Sequence, residues 1–183
     1  MIKDSTSAGE WKHGWPIVLT SAMGISFLSV VMGSLGTFIE PLTAEFGWSR
    51  STLTMGMVIA GLFVLLLSPF AGSLVDRFGP RRLALPGVIL MTLSTASFGL
   101  TNGSVLQWAC LWTIYGLAHI SMMMSIWTGA VAQSFDKGRG LALGLALAGS
   151  AAAQTIIPSL ATWLIDTVGW RQAYLVLGLG WGS

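Results

Sequence analysis

His119 is the one side chain that titrates near neutral pH in an uncharged run of 53 residues, Leu83 to Phe135. Tyr115 lies four residues earlier, on the same face of a helix. A histidine in so apolar a setting can hold a coupled proton or donate to a carboxylate. The plainer reading is a neutral imidazole bonded to a facing carbonyl or hydroxyl. Earlier in the chain, Ser26, Ser29 and Thr37 recur with Ala22, Gly33, Gly36 and Glu40 at spacings of three and four. Such a face lines a water-filled cavity or packs tightly on a neighbour, and three hydroxyls favour the cavity. Glu40, just before Pro41, is expected at an interface. Gln154 is the one amide between Gly140 and Ile165. A single cysteine, Cys110, and two histidines leave no metal-site pattern and no internal disulfide. No Gly-rich phosphate loop, paired carboxylates or Ser/His pair at useful spacing is present, so no cofactor and no catalysis are expected.

These residues need a scaffold, and the charges outline it. Only 16 of 183 residues are charged, nine Lys/Arg and seven Asp/Glu, and 54% are apolar. That cannot supply the polar shell of a soluble domain. The uncharged gaps are Gly14–Ile39, Ser51–Val75, Leu83–Phe135 and Gly140–Ile165. Each exceeds the roughly 20 residues that span a bilayer. The longest must turn once, at Thr101-Asn102-Gly103-Ser104, where an Asn-Gly pair favours a turn over a glycosylation site. The expectation is an all-α polytopic membrane protein with spans near Trp15–Phe38, Thr52–Val75, Leu83–Leu100, Leu106–Ala132 and Leu141–Ile165. A sixth span starts near Gln172 and is expected to be truncated, since 12 residues follow Arg171. Residues 1–14 are expected to form a polar tail, and 15–183 one six-helix unit.

Lys and Arg counts predict the orientation. With the N-terminus in the cytoplasm, the inner segments carry Lys3, Lys12, Arg77, Arg81, Arg82, Lys137 and Arg139. The outer segments carry only Arg50 and Arg171. Trp15, Trp48, Trp108, Trp163 and Trp170 fall at span edges, where interfacial aromatics belong. The basic residues do not cluster as a phosphate-binding patch would require, so nucleic acid is not an expected partner.

Between the second and third spans runs Gly72-Ser-Leu-Val-Asp76-Arg77-Phe-Gly79-Pro-Arg81-Arg82. Gly79-Pro80 makes a tight reversal between antiparallel neighbours. Asp76 sits at a helix C-terminus, where the dipole disfavours an anion. The bland reading, a charged turn, leaves Asp76 and Gly72 unexplained. This G-x-x-x-D-R-x-G-x-R-R pattern resembles the signature loop of the major facilitator superfamily, secondary transporters of two six-helix halves. The resemblance implies that the chain is the N-terminal half. It also implies that Asp76 latches the cytoplasmic side, with Arg77, Arg81 and Arg82 sharing its network.

A second stretch, Ser134 to Gly149, contains Phe135, Lys137, Arg139, Gly144, Ala148 and Gly149 in an F-x-K-x-R-x-L-A-x-G-x-A-x-A-G skeleton. It resembles the helix-5 signature of monocarboxylate transporters, departing at Ser134 and Gly138. Gly169-Trp170-Arg171 fits the same pattern. On physical grounds alone, Gly140, Gly144, Ala148 and Ala152 form a small-residue stripe expected to seat another helix. Pro158 is expected to kink that helix. Met122, Met123 and Met124 are expected to be adaptable packing.

The resemblance implies alternating-access transport of a small organic anion, a monocarboxylate, in a plasma or bacterial inner membrane. It implies a coupled proton or counter-anion, and a second six-helix half as partner within the lipid bilayer. No Lys or Arg lies inside a complete span, so a cation for the carboxylate is expected from that second half. The competing reading is a membrane-embedded structural or assembly subunit without transport of its own.

Overall fold

A computed structural model describes residues 7–182; the side chains of 7, 8, 71, 74–76, 78, 80 and 81 lie outside the described part. The elements are α1 (Ser7–Phe46), α2 (Arg50–Phe78), α3 (Pro80–Ser97), a 3-10 turn (Phe98–Leu100), α4 (Val105–Ser121), α5 (Met124–Ser134), α6 (Arg139–Val168) and α7 (Trp170–Gly182). No strand occurs among the described residues. Five stretches are long and apolar enough to cross a membrane: Gly9–Phe46, Arg50–Phe70, Arg82–Leu100, Val105–Ser134 and Arg139–Val168. With α7 they give the expected six-segment, all-α plan.

The connections follow from local chemistry. Gly79 at φ 77° reverses the chain between α2 and α3, and Gly169 at φ 81° does so between α6 and α7. Each is a single-residue joint in a conformation that side-chain-bearing residues rarely adopt. At the Asn-Gly turn, Asn102 Oδ1 accepts from the Ser104 N–H (3.0 Å), and Ser104 Oγ caps α4 by accepting from the Gln107 N–H (3.4 Å). Gln107 closes the turn by accepting from the Asn102 N–H at 2.8 Å.

Three expectations meet a more detailed structure. Within the expected polar tail of 1–14, residues 7–14 are already helical, since α1 begins at Ser7. Glu10 accepts from the backbone N–H groups of Lys137 (3.2 Å) and Gly138 (3.0 Å), and the Trp11 ring lies 5.0 Å from that of Phe135. These contacts give residues beyond the apolar run a surface to fold against. The single helix expected over Leu106–Ala132 is broken. Met122 (φ −113°, ψ 21°) and Met123 (φ −47°, ψ 144°) leave helical geometry between α4 and α5. At that point Gly87 of α3 admits the Ser121 carbonyl to 2.6 Å from where a Cβ would stand. The small-residue stripe, finally, seats no helix among the described residues. Gly140, Gly144, Ala148 and Ala152 are exposed, and nothing lies within 4 Å of a Cβ added at Gly140 or Gly144. The seat belongs to the neighbouring face, where Ala142, Ala146, Ala153, Ile157, Ala161 and Leu164 are buried.

The most extensive packing is α1 against α6. It is closest at Gly149, where a Cβ would come within 2.3 Å of the Ala22 carbonyl oxygen. In lipid, such close approach supplies the packing energy that hydrophobic burial cannot. An aromatic cluster fills the core between α3, α4 and α7. Phe98 lies 5.1–5.9 Å from Trp108, Trp112, Tyr115 and Tyr174, and Phe38 stacks on Tyr174 at 3.8 Å. Of the tryptophans expected at interfaces, Trp15 and Trp163 are exposed, whereas Trp48, Trp108 and Trp170 are buried. They sit at element ends but turn inward, because aromatic neighbours wait there.

Candidate functional site

Four spans converge on a cavity of about 460 Å³. Ser29, Met32 and Gly33 of α1 form one wall, and Gln154 of α6 adjoins them. Val64 comes from α2, His119 from α4, and Met123 and Met124 from the break that opens α5. The polar groups on the α1–α6 wall are linked. Ser29 Oγ lies 3.0 Å from Ser150 Oγ, which accepts from Gln154 Nε2 at 3.2 Å. Across the cavity, His119 Nδ1 is buried without a hydrogen-bond partner among the described residues. A buried donor or acceptor left unpaired is costly, and this one lies beside a cavity.

The other residues expected here have different surroundings. Tyr115 is fully buried in the aromatic cluster, with its ring 5.9 Å from that of His119. It stands behind the histidine rather than in the cavity. Ser26 Oγ donates to the Met23 carbonyl (2.7 Å) and accepts from Trp181 Nε1 (2.8 Å). Thr37 donates to the Ser34 carbonyl of its own helix at 2.7 Å. So the hydroxyl face of α1 is divided: Ser29 lines the cavity, while Ser26 and Thr37 serve packing and the backbone. Glu40 is exposed and lines a cleft with Arg50. Ser150 escaped notice in the sequence, although it lies four residues before Gln154 and shares its face. Met122 is core packing, as expected, but Met123 and Met124 reach the cavity.

A second cavity, of about 520 Å³, lies between α1, the start of α3, and α5. Arg82 and Gly79 line it, with Gln133 and Trp127. A Cβ at Gly24 would meet the Trp127 indole ring at 2.3 Å, so only glycine lets the ring lie flat on α1. Of the remaining loop residues, Gly72 and Arg77 are exposed near the end of α2. Asp76 and Arg81 lie in α2 and α3, but their side chains are outside the described residues.

The residues of the second signature are also placed. Phe135 is buried against Trp11, and Lys137 presents its backbone N–H to Glu10 while its side chain is exposed. Arg139 opens α6 and is exposed. Gly149 seats α1, whereas Gly144 and Ala148 face outward.

The sequence pattern of the Major Facilitator Superfamily matches residues 15–180. The chain belongs to that family. It is similar to monocarboxylate transporter 11 of Mus musculus, 28% identical over 93% of this chain and 37% of the relative. Monocarboxylate transporter 6 of the same species is 30% identical over 93% and 36%. An MFS-type transporter of Gibberella moniliformis is 30% identical over 85% and 40%. The chain thus spans little more than a third of the length of the curated relatives it matches. Family membership and five long apolar helices make it a multi-pass membrane protein.

Proposed function

We propose that this chain is the N-terminal half of a secondary transporter for a small organic anion, a monocarboxylate. The observation that carries the reading is the cavity joining His119, Ser29 and Gln154 among four otherwise apolar spans. Monocarboxylate transporters among its relatives support the substrate class. Transport would proceed by alternating access, with a second six-helix half rocking against this one across a shared central site. Energy would come from a coupled proton or counter-anion. His119 would carry the proton or donate to the carboxylate, and Gln154 and Ser29 would orient it. The cation expected for the carboxylate would come from the second half. The N-terminus would face the cytoplasm, in a plasma or bacterial inner membrane. Asp76, Arg77, Arg81 and Arg82, with Gly72 and Gly79 shaping the turn, would latch the cytoplasmic side.

Reconstitution in liposomes tests the reading. The chain alone, and with a co-encoded second half, is given labelled lactate, pyruvate and oxalate. Uptake is expected only when both halves are present. Robust uptake by the chain alone would sink the half-transporter reading. Inserted protein that supports no uptake in either arrangement would favour a structural or assembly subunit. The latch has its own test. Asp76→Asn is expected to cut uptake at least about tenfold, on the scale of losing one charge-assisted contact, while leaving abundance intact. Unchanged uptake counts against a gate.

A further inference from the structure

We infer that the cavity lined by Ser29, His119 and Gln154 holds the apolar body of the substrate, a ring-sized aryl group, and leaves charge pairing of the carboxylate to the second half. Calling the ligand a substrate rests on the transport reading; the chemistry of the pocket does not. Each lining residue belongs to one of the four uncharged runs of the sequence. Along the chain the nearest charged residue is Glu40, seven positions after Gly33, and it lines a different cleft. Asp76 stands 12 positions after Val64, about 18 Å farther along α2 at the helical rise. A carboxylate buried against these walls would lose its hydration with no fixed cation in return. The polar groups are partly spent on one another, since Gln154 Nε2 donates to Ser150 Oγ, which lies 3.0 Å from Ser29 Oγ. Such a set orients a ligand in an otherwise apolar pocket.

The remaining lining selects the kind of body. Three thioethers face the space: Met32 from α1, and Met123 and Met124 from the break between α4 and α5. Met122 stays in the core, whereas Met32 and Met124 are 37% and 45% exposed and so are not committed to internal packing. Leu28 and Val64 complete the apolar wall. An unbranched thioether adapts its shape to a ligand and makes favourable contacts with aromatic rings. Lactate, whose only apolar part is a methyl group, would leave most of a 460 Å³ cavity unused. An aryl group fills more of it and meets sulfur from two separate elements.

Methyl NMR of the full chain in lipid nanodiscs, with carbon-13 methionine, tests the pocket with three probes. Phenylpropanoate carries ring and carboxylate, propanoate lacks the ring, and phenylpropanamide lacks the charge but keeps a carbonyl oxygen. Phenylpropanoate should shift the Met32, Met123 and Met124 methyls saturably while the buried Met122 stays still. Its affinity should exceed that of propanoate about tenfold, the effect of burying a ring. The amide should bind within about threefold of the acid, because the walls supply no fixed cation. Met32→Gln and Met124→Gln, on different helices, should each weaken the aryl acid about threefold or more and leave propanoate unchanged. Agreement between the two guards against a misfolded variant. Equal affinity for propanoate and the aryl acid would overturn the proposal. So would failure of the amide to bind, which would put charge recognition in this cavity. Parallel shifts at Met23, 62% exposed on α1, would also overturn it, by assigning the effect to partition into lipid. Uptake by the two halves reads the transport proposal separately. Lactate uptake without methyl shifts would overturn only the pocket. Methyl shifts without uptake of any acid would keep the pocket and remove transport.

Discussion

His119 shows how much a single residue declares in advance. An imidazole in a 53-residue uncharged run is conspicuous in any sequence, and the structure sets it on a cavity wall with Nδ1 unpartnered among the described residues. Its companions were less legible. Ser26, Ser29 and Thr37 share one stripe of α1, yet only Ser29 lines that cavity. Helical spacing reports a face, not what lies opposite, and Trp181, which occupies Ser26, comes from 155 residues away. If His119 carries the coupled proton, His119→Gln should abolish uptake driven by a pH gradient. Exchange of labelled for unlabelled substrate should persist within about threefold, because Gln keeps a hydrogen-bonding side chain of similar reach. The two assays in proteoliposomes separate coupling from binding, and loss of both would make the histidine a substrate ligand only.

At the scale of the helix, charge gaps located four apolar stretches to within about five residues and the first, Gly9–Phe46, to within about eight, because a run of uncharged residues long enough to cross lipid has few other uses. Breaks and faces were harder. The interruption at Met122–Met123 carries neither glycine nor proline in its own strand of sequence. Its cause lies in α3, where Gly87 makes room for a carbonyl. On α6 two small-residue faces run side by side, and the more regular one is exposed. Small side chains mark where a helix permits close approach without stating which partner takes it. The contrast is testable with one substitution on each face. Gly149→Val drives a side chain into the Ala22 backbone and should cost about 1–3 kcal/mol. Gly144→Val meets open space and should leave the melting temperature of this chain within about 1 °C, as exposed substitutions do. Thermal unfolding in detergent reads both. An equal loss from the two variants would place α6 differently against α1.

Across the molecule, α1 is fastened at both ends by a carboxylate. Glu10 holds the backbone at Lys137 and Gly138. Glu45 pairs with Arg171 at 2.7 Å and accepts from Trp170 Nε1 at 2.6 Å. Arg171 in turn lies 4.3 Å from the Trp170 ring centre and donates to the Thr101 carbonyl at 3.4 Å. The Glu45 clamp thereby joins α1, the turn after α3 and the start of α7. Both charged side chains of the pair are substantially exposed, so their coupling is modest. A double-mutant cycle of Glu45→Ala and Arg171→Ala should give about 0.5–1 kcal/mol, falling as salt is added. A coupling that ignores salt would mean that packing over Trp170, rather than charge, holds the corner. None of this was visible from composition, because each clamping carboxylate meets partners 125 or more positions away.

Those separations set a timetable for synthesis. The ribosome makes α1 well before its principal partner, α6, which begins at Arg139, and Ser29 meets Ser150 only 121 residues later. At roughly 5–20 residues per second, that interval lasts about 6–24 s. During it α1 stands in lipid with Ser29, Gly24 and both end carboxylates lacking their final contacts. Nascent chains halted before Arg139 should therefore crosslink through α1 to the insertion machinery, and release it once α6 has emerged.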